Sequence, residues 1–501
     1  MSVPWEVWVI MIPLAGGILA FLCERRFTSF IALFVSLGMI AAVAGLTFQV
    51  WRHGPQRHTV GGWGAPLGID LWADGLSVFM LIMGAIVGVA TSVYALSYFP
   101  IAPRKKDIHQ KDHGKEEALF WPLWFFLWGA LNALFLSADA FNLYVTLELL
   151  SLSAVALVNL AGGNVALVAG MRYLLTSLLA SLAYLLGVVL LYSAFGSLAL
   201  EELGARMFPS PLSWAAIALI TTGLLLKSAL FPLHFWLPPA HASAPAPVSA
   251  ILSALVVKAA FYLLLRLWFT VFTPALTPAA SQFLGALGAG AILWGSVLAL
   301  RQQRLKLLVA YSTVAQLGYL FLLFPLTAKT GENFLAWSGG LYHALSHACA
   351  KTSMFLAAGT LMRALGHDRI DSLAAISHRL PITMFAFGIA GVTIMGLPPS
   401  GGFIAKWLLL NAALQQDQWW IVTILIVGGL LAVGYVFRVV QQAFVSSSEA
   451  VDFQEVSRSM EIVPLILALA ALGLGLSAPP FLALLRIGAP FPSALSLEVG
   501  Q

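Results

Sequence analysis

The chain has 501 residues, 60% of them hydrophobic and only 9% charged, with a formal net charge of +5. Soluble domains carry about 25% charged residues, so this composition excludes an ordinary water-soluble protein and indicates an integral membrane protein. No basic patch alternates with exposed aromatics, so no nucleic-acid partner is expected. Two cysteines, Cys23 and Cys349, form neither a disulfide framework nor a CxxC pair, so no cofactor or metal centre is expected of this chain.

Apolar runs long enough to cross a bilayer fall near 3–22, 28–50, 75–98, 119–137, 139–161, 171–194 and 211–232, then near 247–272, 280–300, 307–326, 335–364, 381–415, 419–445 and 461–485. The reading is therefore an all-α membrane protein of about 14 transmembrane helices. The first run lacks a leading positive charge and is followed by Glu24-Arg25-Arg26, so it reads as a retained span rather than a cleaved signal. The runs at 335–364 and 381–415 exceed what a bilayer needs, so tilt or interruption is expected there.

Loop charges agree with this count. Odd-numbered loops and their flanks, Lys306 among them, hold sixteen Lys and Arg, against six in even-numbered loops and the tail. That asymmetry places the odd loops in the cytoplasm and both termini on the non-cytoplasmic side. The polar loop at 99–118, with Arg104-Lys105-Lys106 and Glu116-Glu117, reads as a solvated surface segment, with partner docking as the alternative.

Five ionisable residues lie near the middle of apolar runs: Glu148, Lys227, Lys258, Lys351 and Lys406. At roughly 2.5–3.5 kcal/mol each, they cost on the order of 12–17 kcal/mol at helix centres. Such groups are retained where they pair, face water or carry charge. Glu148 has Tyr144 at i−4 and Ser151 at i+3, giving one partly polar helix face; a structural carboxylate neutralised by Arg172 or a lysine is the plainer alternative. After Lys227 the segment breaks at Phe231-Pro232-Leu233-His234-Phe235-Trp236-Leu237-Pro238-Pro239, because proline removes a backbone donor and clashes with the preceding turn. A second break, Gly396-Leu397-Pro398-Pro399-Ser400-Gly401, leads into Lys406. Broken helices of this kind line cavities in transporters. Lys258 lies about three turns into its helix. His343, His347 and Lys351 stand at i, i+4 and i+8 on one face, a proton relay or a satisfied polar helix contact, with no ligand set that would complete a metal site.

The text at 227–262, KSALFPLHFWLPPAHASAPAPVSAILSALVVKAAFY, resembles the antiporter-like subunits shared by respiratory complex I, Mrp cation/proton antiporters and membrane-bound hydrogenases. So do DAFNLYVTLELLSLS (139–153), LKLLVAYSTVAQLGY (305–319), YHALSHACAKTSMFLAAG (342–359) and GLPPSGGFIAK (396–406). The resemblance implies two inverted five-helix repeats containing broken helices, near 119–272 and 280–445, preceded by a three-helix segment (1–98) and followed by a C-terminal helix (461–485). It implies that Glu148 and Lys227 act as a coupled pair, that His234, Lys258, His343, His347 and Lys351 form a central relay, and that Lys406 is the exit lysine. Pro239 stands where many relatives carry an acidic residue, Arg172 stands where many carry lysine, and no long lateral helix follows the last span.

The expected function is proton translocation as one subunit of a larger complex in the cell inner membrane. Paired with Glu148, Lys227 holds its proton; parted from it in a dry interior, it passes the proton inward. A switch of about 4 kcal/mol in that hold exceeds the ~2.3 kcal/mol needed to move one charge through 100 mV. The partners implied are other membrane and cytoplasmic subunits, the lipid bilayer, protons and, in the Mrp-type alternative, Na⁺. A further alternative is a membrane subunit of an inorganic-carbon uptake complex or a non-conducting scaffold. No nucleotide loop or flavin site is visible, so any redox catalysis would belong to partner subunits.

Overall fold

The computed structural model describes residues 3–64, 68–99, 113–328, 334–374, 376–445 and 453–491. Most of the polar loop expected at 99–118 lies outside the described residues. The chain opens with α1 (Trp5–Leu22) and α2 (Thr28–His53), then an antiparallel hairpin of β1 (Gln56–Thr59) and β2 (Asp70–Ala73), in which Gln56 pairs with Ala73 and Thr59 with Asp70. Helices α3 (Gly75–Tyr98), α4 (His113–Leu136), α5 (Ala140–Asn159) and α6 (Gly163–Phe195) follow, then short α7 (Leu200–Arg206) and α8 (Pro211–Lys227). Beyond the first break come α9 (Leu237–Ser243), α10 (Ala246–Ile251) and α11 (Val257–Leu267); a π-helical turn, Leu252–Val256, joins the last two.

The second half runs through α12 (Pro278–Arg301), α13 (Leu305–Phe321), α14 (Leu323–Thr327), α15 (Phe334–Leu365) and the one-turn α16 (Ile376–Arg379). It continues with α17 (Pro381–Met395), α18 (Gly401–Gln415), α19 (Trp419–Phe444), α20 (Arg458–Gly473) and α21 (Ala478–Leu484).

Among the described residues, ten helices are long and apolar enough to cross a membrane, or eleven if α20 and α21, bent by 77°, count as one broken span. The expected count of about fourteen is not matched by that measure, for two physical reasons. The proline breaks split the runs near 211–232 and 381–415, leaving α8, α17 and α18 with 17, 15 and 15 residues. The run at 335–364 is instead one unbroken 32-residue helix, α15, but its histidines, lysine and many hydroxyls dilute its apolar character.

Helix ends are fixed locally. Asp74 and Asp139 cap α3 and α5 by accepting backbone N–H bonds, and Ser400 does so for α18. The loops then sort by parity. On one face, Arg57 of β1 meets Asp70 at 2.6 Å and Glu201 of α7 at 2.9 Å, and Gly75 N donates to Ile487 O at 2.8 Å. On the other, Arg304 meets Asp368 at 3.0 Å and Arg363 donates to Tyr98 O at 3.1 Å. The even-numbered loops at β1–β2 and α7 thus gather with the tail on one side, and the odd-numbered loops at the ends of α3, α12 and α15 on the other, as an alternating span order requires.

The core is layered. The stretch Ala246–Ala275 is enclosed along its entire apolar window, and α15 is buried over most of its length. Helices α2, α6, α12 and α19 present bulky apolar residues outward, such as Phe34, Leu179, Phe283 and Leu430. The outward faces of these helices suit hydrocarbon, while α11 and α15 enclose Lys258 and Lys351 at the centre.

Candidate functional site: a buried row of lysines

Lys227 is the last residue of α8 and is 7% exposed. Its Nζ lies 3.4 Å from Glu148 Oε2 and donates to Ser151 Oγ at 2.6 Å and to Ser177 Oγ at 2.9 Å. Glu148 also accepts from Ser181. Helices α6 and α8 approach closely enough for this because α8 carries Gly223, where a Cβ would stand 2.5 Å from Ala180 O. Trp236, stacked on Tyr173 at 4.3 Å, donates to Leu226 O at 2.9 Å and pins the broken end of α8. Arg172, the other candidate partner for Glu148, is exposed.

Among the described residues, Lys258, Lys351 and Lys406 have no carboxylate within ion-pair distance. Lys258, fully buried, turns back along its helix and donates to Ser253 O at 3.2 Å and Ala254 O at 2.9 Å, both in the π-helical turn. Single π turns inside α-helices recur at functional sites because they loosen the regular carbonyl ladder. Lys351 donates to Val309 O at 3.0 Å and to Ser312 Oγ, both on α13. Lys406 reaches across the second break to Ile394 O at 2.9 Å and Met395 O at 3.1 Å. These are the last carbonyls of α17, the negative end of its dipole, where a cation is favoured. Its ammonium also lies 4.4 Å from the Tyr319 ring centroid.

The two histidines of α15 stack with centroids 5.8 Å apart, and His343 Nε2 lies 3.2 Å from Gln316 O. Tyr319 on α13 contacts the His343 ring at 5.3 Å. His347 and His343 are both buried on α15, one and about two turns before Lys351. His234 sits between the Phe231 and Tyr311 rings, at 5.8 and 6.5 Å. Between Lys227 and the π turn lies a cavity of about 10 Å³, bounded by Ser151, Ser177, Lys227 and Val256. That is at the lower limit of room for one water.

Several residues go beyond the sequence reading. Lys306, counted above with the loop charges, is 1% exposed and donates to Ala244 O at 2.5 Å. It is a buried cation because α13 begins inside the protein, against the α9–α10 turn. His241 is fully buried and stacks on Phe355 at 4.7 Å. Ser312, Gln316 and Tyr319 were also missed, although their i, i+4, i+7 spacing within an apolar helix marks a polar face.

Gly396 has φ +80°, and a Cβ there would stand 2.6 Å from Lys406 Cδ. Gly396→Ala is expected to push Lys406 off the α17 carbonyls, with a backbone cost of about 1–2 kcal/mol for the left-handed conformation. Proton flux should fall to the level of Lys406→Ala while the protein still inserts; wild-type flux would show that the lysine does not depend on this glycine.

Known proteins resemble this chain over most of its length. Residues 137–432 match the family described as NADH:quinone oxidoreductase/Mrp antiporter, transmembrane. NADH-quinone oxidoreductase subunit N of Desulforudis audaxviator is 36% identical over 453 residues, covering 89% of this chain and 87% of that protein. A Na⁺/H⁺ antiporter subunit of Alkalihalophilus pseudofirmus is 27% identical over 475 residues, covering 93% and 92%. Among solved structures, an archaeal membrane-bound sulfane sulfur reductase complex contains a chain with TM-score 0.84 at 25% identity, covering 96% of each. A chain of the Dietzia sp. Mrp complex has the same TM-score at 22% identity, covering 98% of each, a likeness of fold. Multi-pass helical architecture, the broken helices and these matches lead to one assignment: the chain belongs to the NADH:quinone oxidoreductase/Mrp antiporter family of membrane subunits.

Proposed function

We propose that this protein is the proton-translocating subunit of a multi-subunit complex in the cell inner membrane, carrying protons along Glu148, Lys227, Lys258, His347, Lys351 and Lys406, with His234 and His343 beside the route. One observation carries the reading. Of five buried lysines, Lys306 included, only Lys227 lies within ion-pair distance of a carboxylate among the described residues, and the other four are held by carbonyls, hydroxyls or a ring. A purely structural array would pair its charges, since an unpaired buried ion is strongly unfavourable. An array that loads and unloads protons needs neutral acceptors beside each amine, because both charge states must be tolerated.

The halves 119–272 and 280–445 act as inverted repeats in this reading. Each contains a long helix, α6 or α15, followed by a broken one, α8–α9 or α17–α18. Proton uptake occurs at the Glu148–Lys227 pair, transfer crosses the π turn to Lys258, and release follows Lys406. The odd-loop face is cytoplasmic by its excess of Lys and Arg. The relatives named as a subunit of an NADH-quinone oxidoreductase and a subunit of a Na⁺/H⁺ antiporter support a place within a larger assembly.

The test is proton flux in proteoliposomes containing the chain with its co-purifying subunits, driven as that complex is driven. Lys258→Ala is expected to lower flux by about tenfold or more, equivalent to ~1.4 kcal/mol on the limiting step. Varying Na⁺ should leave the wild-type flux unchanged. Flux that tracks Na⁺ would favour the exchange module, and wild-type flux in Lys258→Ala would favour a scaffold.

A further inference from the structure

Two turns beyond Lys258, the same helix face carries Tyr262 and then Arg266, at i+4 and i+8. Arg266 lies about 12 Å further along α11 and borders a cavity of about 370 Å³ on the even-loop face, whose lining includes Arg57, Asp74, Ser137, Glu201 and Thr270. That volume has room for on the order of ten waters. A water-accessible chamber thus comes within three turns of the central lysine, on the side away from the odd loops. Left open, it would let protons on Lys258 escape before they reach α15 and Lys406.

We propose that the Asp74–Arg266 pair is a proton seal between this chamber and Lys258. The reading rests on the proton pathway proposed above. Arg266 donates to Asp74 Oδ2 at 2.5 Å and Oδ1 at 2.8 Å, to Ser77 Oγ at 2.9 Å and to Tyr262 Oη at 3.1 Å. Tyr262 in turn donates to Phe135 O at 2.6 Å. Tyr262 and Arg266, the polar residues of α11 beyond Lys258, are therefore each committed to a fixed partner.

The chemistry of arginine makes this a barrier rather than a relay. A guanidinium does not give up its proton in proteins, so it cannot take one from one side and release it on the other. Its bidentate partner Asp74 is held as the carboxylate: burial alone would raise its pKa, but Arg266 and the Ser77 N–H bring it below the usual value. The Tyr262 hydroxyl proton points at a carbonyl and not along the route. Lys258 itself bonds backward, to Ser253 and Ala254, away from Arg266. Fixed arginines also bar protons from water pores, there through their positive charge.

Arg266→Lys separates a seal from a structural ion pair. It keeps the charge and a bond to Asp74, so a merely structural role largely survives. It also substitutes a group that can release a proton. With the complex reconstituted and no driving reaction, a potassium diffusion potential would be imposed and internal pH followed by dye. Passive proton conductance is expected to rise about tenfold over wild type, with no rise in Na⁺ leak, because only proton exclusion is lost. Adding Lys258→Ala should return it to the wild-type level.

Wild-type conductance in Arg266→Lys overturns the proposal. So does a leak that passes Na⁺ or persists with Lys258→Ala, since that would be a general hole. If Arg266→Lys fails to assemble, the neutral pair Asp74→Asn with Arg266→Gln is read by the same conductance: a proton-selective rise supports the seal, and wild-type conductance overturns it. Failure of the underlying pathway looks different: driven flux would then be unaffected by Glu148→Gln, whatever the seal does.

Discussion

Glu148→Gln is expected to reduce driven proton flux by at least about a hundredfold (~2.7 kcal/mol) while leaving the complex assembled. Glutamine keeps the size of the side chain and can still accept from Ser181 and Lys227, so the packing of α5 against α6 survives. What it loses is the charge, and with it the only carboxylate within reach of Lys227 among the described residues. A lysine with a partner that cannot ionise has one state where the mechanism needs two. Lys227→Ala should be as inactive, for the complementary reason. Because the two groups act as a unit, the double variant is expected to be no worse than either single one. Reconstituted flux measured on the three variants checks this; wild-type rates in both singles would sink the pathway.

The second large effect concerns stability. Asp74→Ala strands Arg266 in a buried site, where the loss of one partner from an ion pair costs about 3–5 kcal/mol. The neutral pair Asp74→Asn with Arg266→Gln should cost much less, since no charge is left alone. Thermal unfolding of the detergent-purified protein would rank them: Asp74→Ala lowest, the double variant between it and wild type. A pH dependence follows with a definite sign. The folded Asp74 carboxyl titrates below the ordinary value of 3.8, so its contribution is present above that pH and is lost as pH falls through the lower folded value. The wild-type unfolding temperature should drop on strong acidification more than that of the neutral pair.

Much of this protein was legible in one dimension. Membrane residence, the positions of the five buried charges and both helix breaks follow from hydropathy and proline chemistry, which are local properties of the chain. The run at 381–415 was too long for one span, and the structure divides it at Pro398-Pro399. The parity of the loops was legible for the same reason, because a chain that crosses and recrosses must alternate sides. The span count was less secure: α8, α17 and α18 are shorter than their apolar runs, since helix length depends on where the backbone breaks and not on where hydrophobicity ends.

Other features needed three dimensions. Lys306 reads as a loop cation in sequence, and only the approach of α9 and α10 to the start of α13 buries it. The serines that hold Lys227 come from α5 and α6, 76 and 50 residues away, and Asp74 and Arg266 are 192 residues apart. The order of amino acids dictates what each segment is: apolar, broken, or carrying a charge that lipid would not tolerate. Packing in three dimensions dictates which segments stand beside one another, and so which charges are paired, which rest on carbonyls, and where a fixed arginine closes the way out. The physical reason is that a helix's affinity for lipid is set by its own residues, whereas a buried ion's partners are set by neighbours that lie far away along the chain.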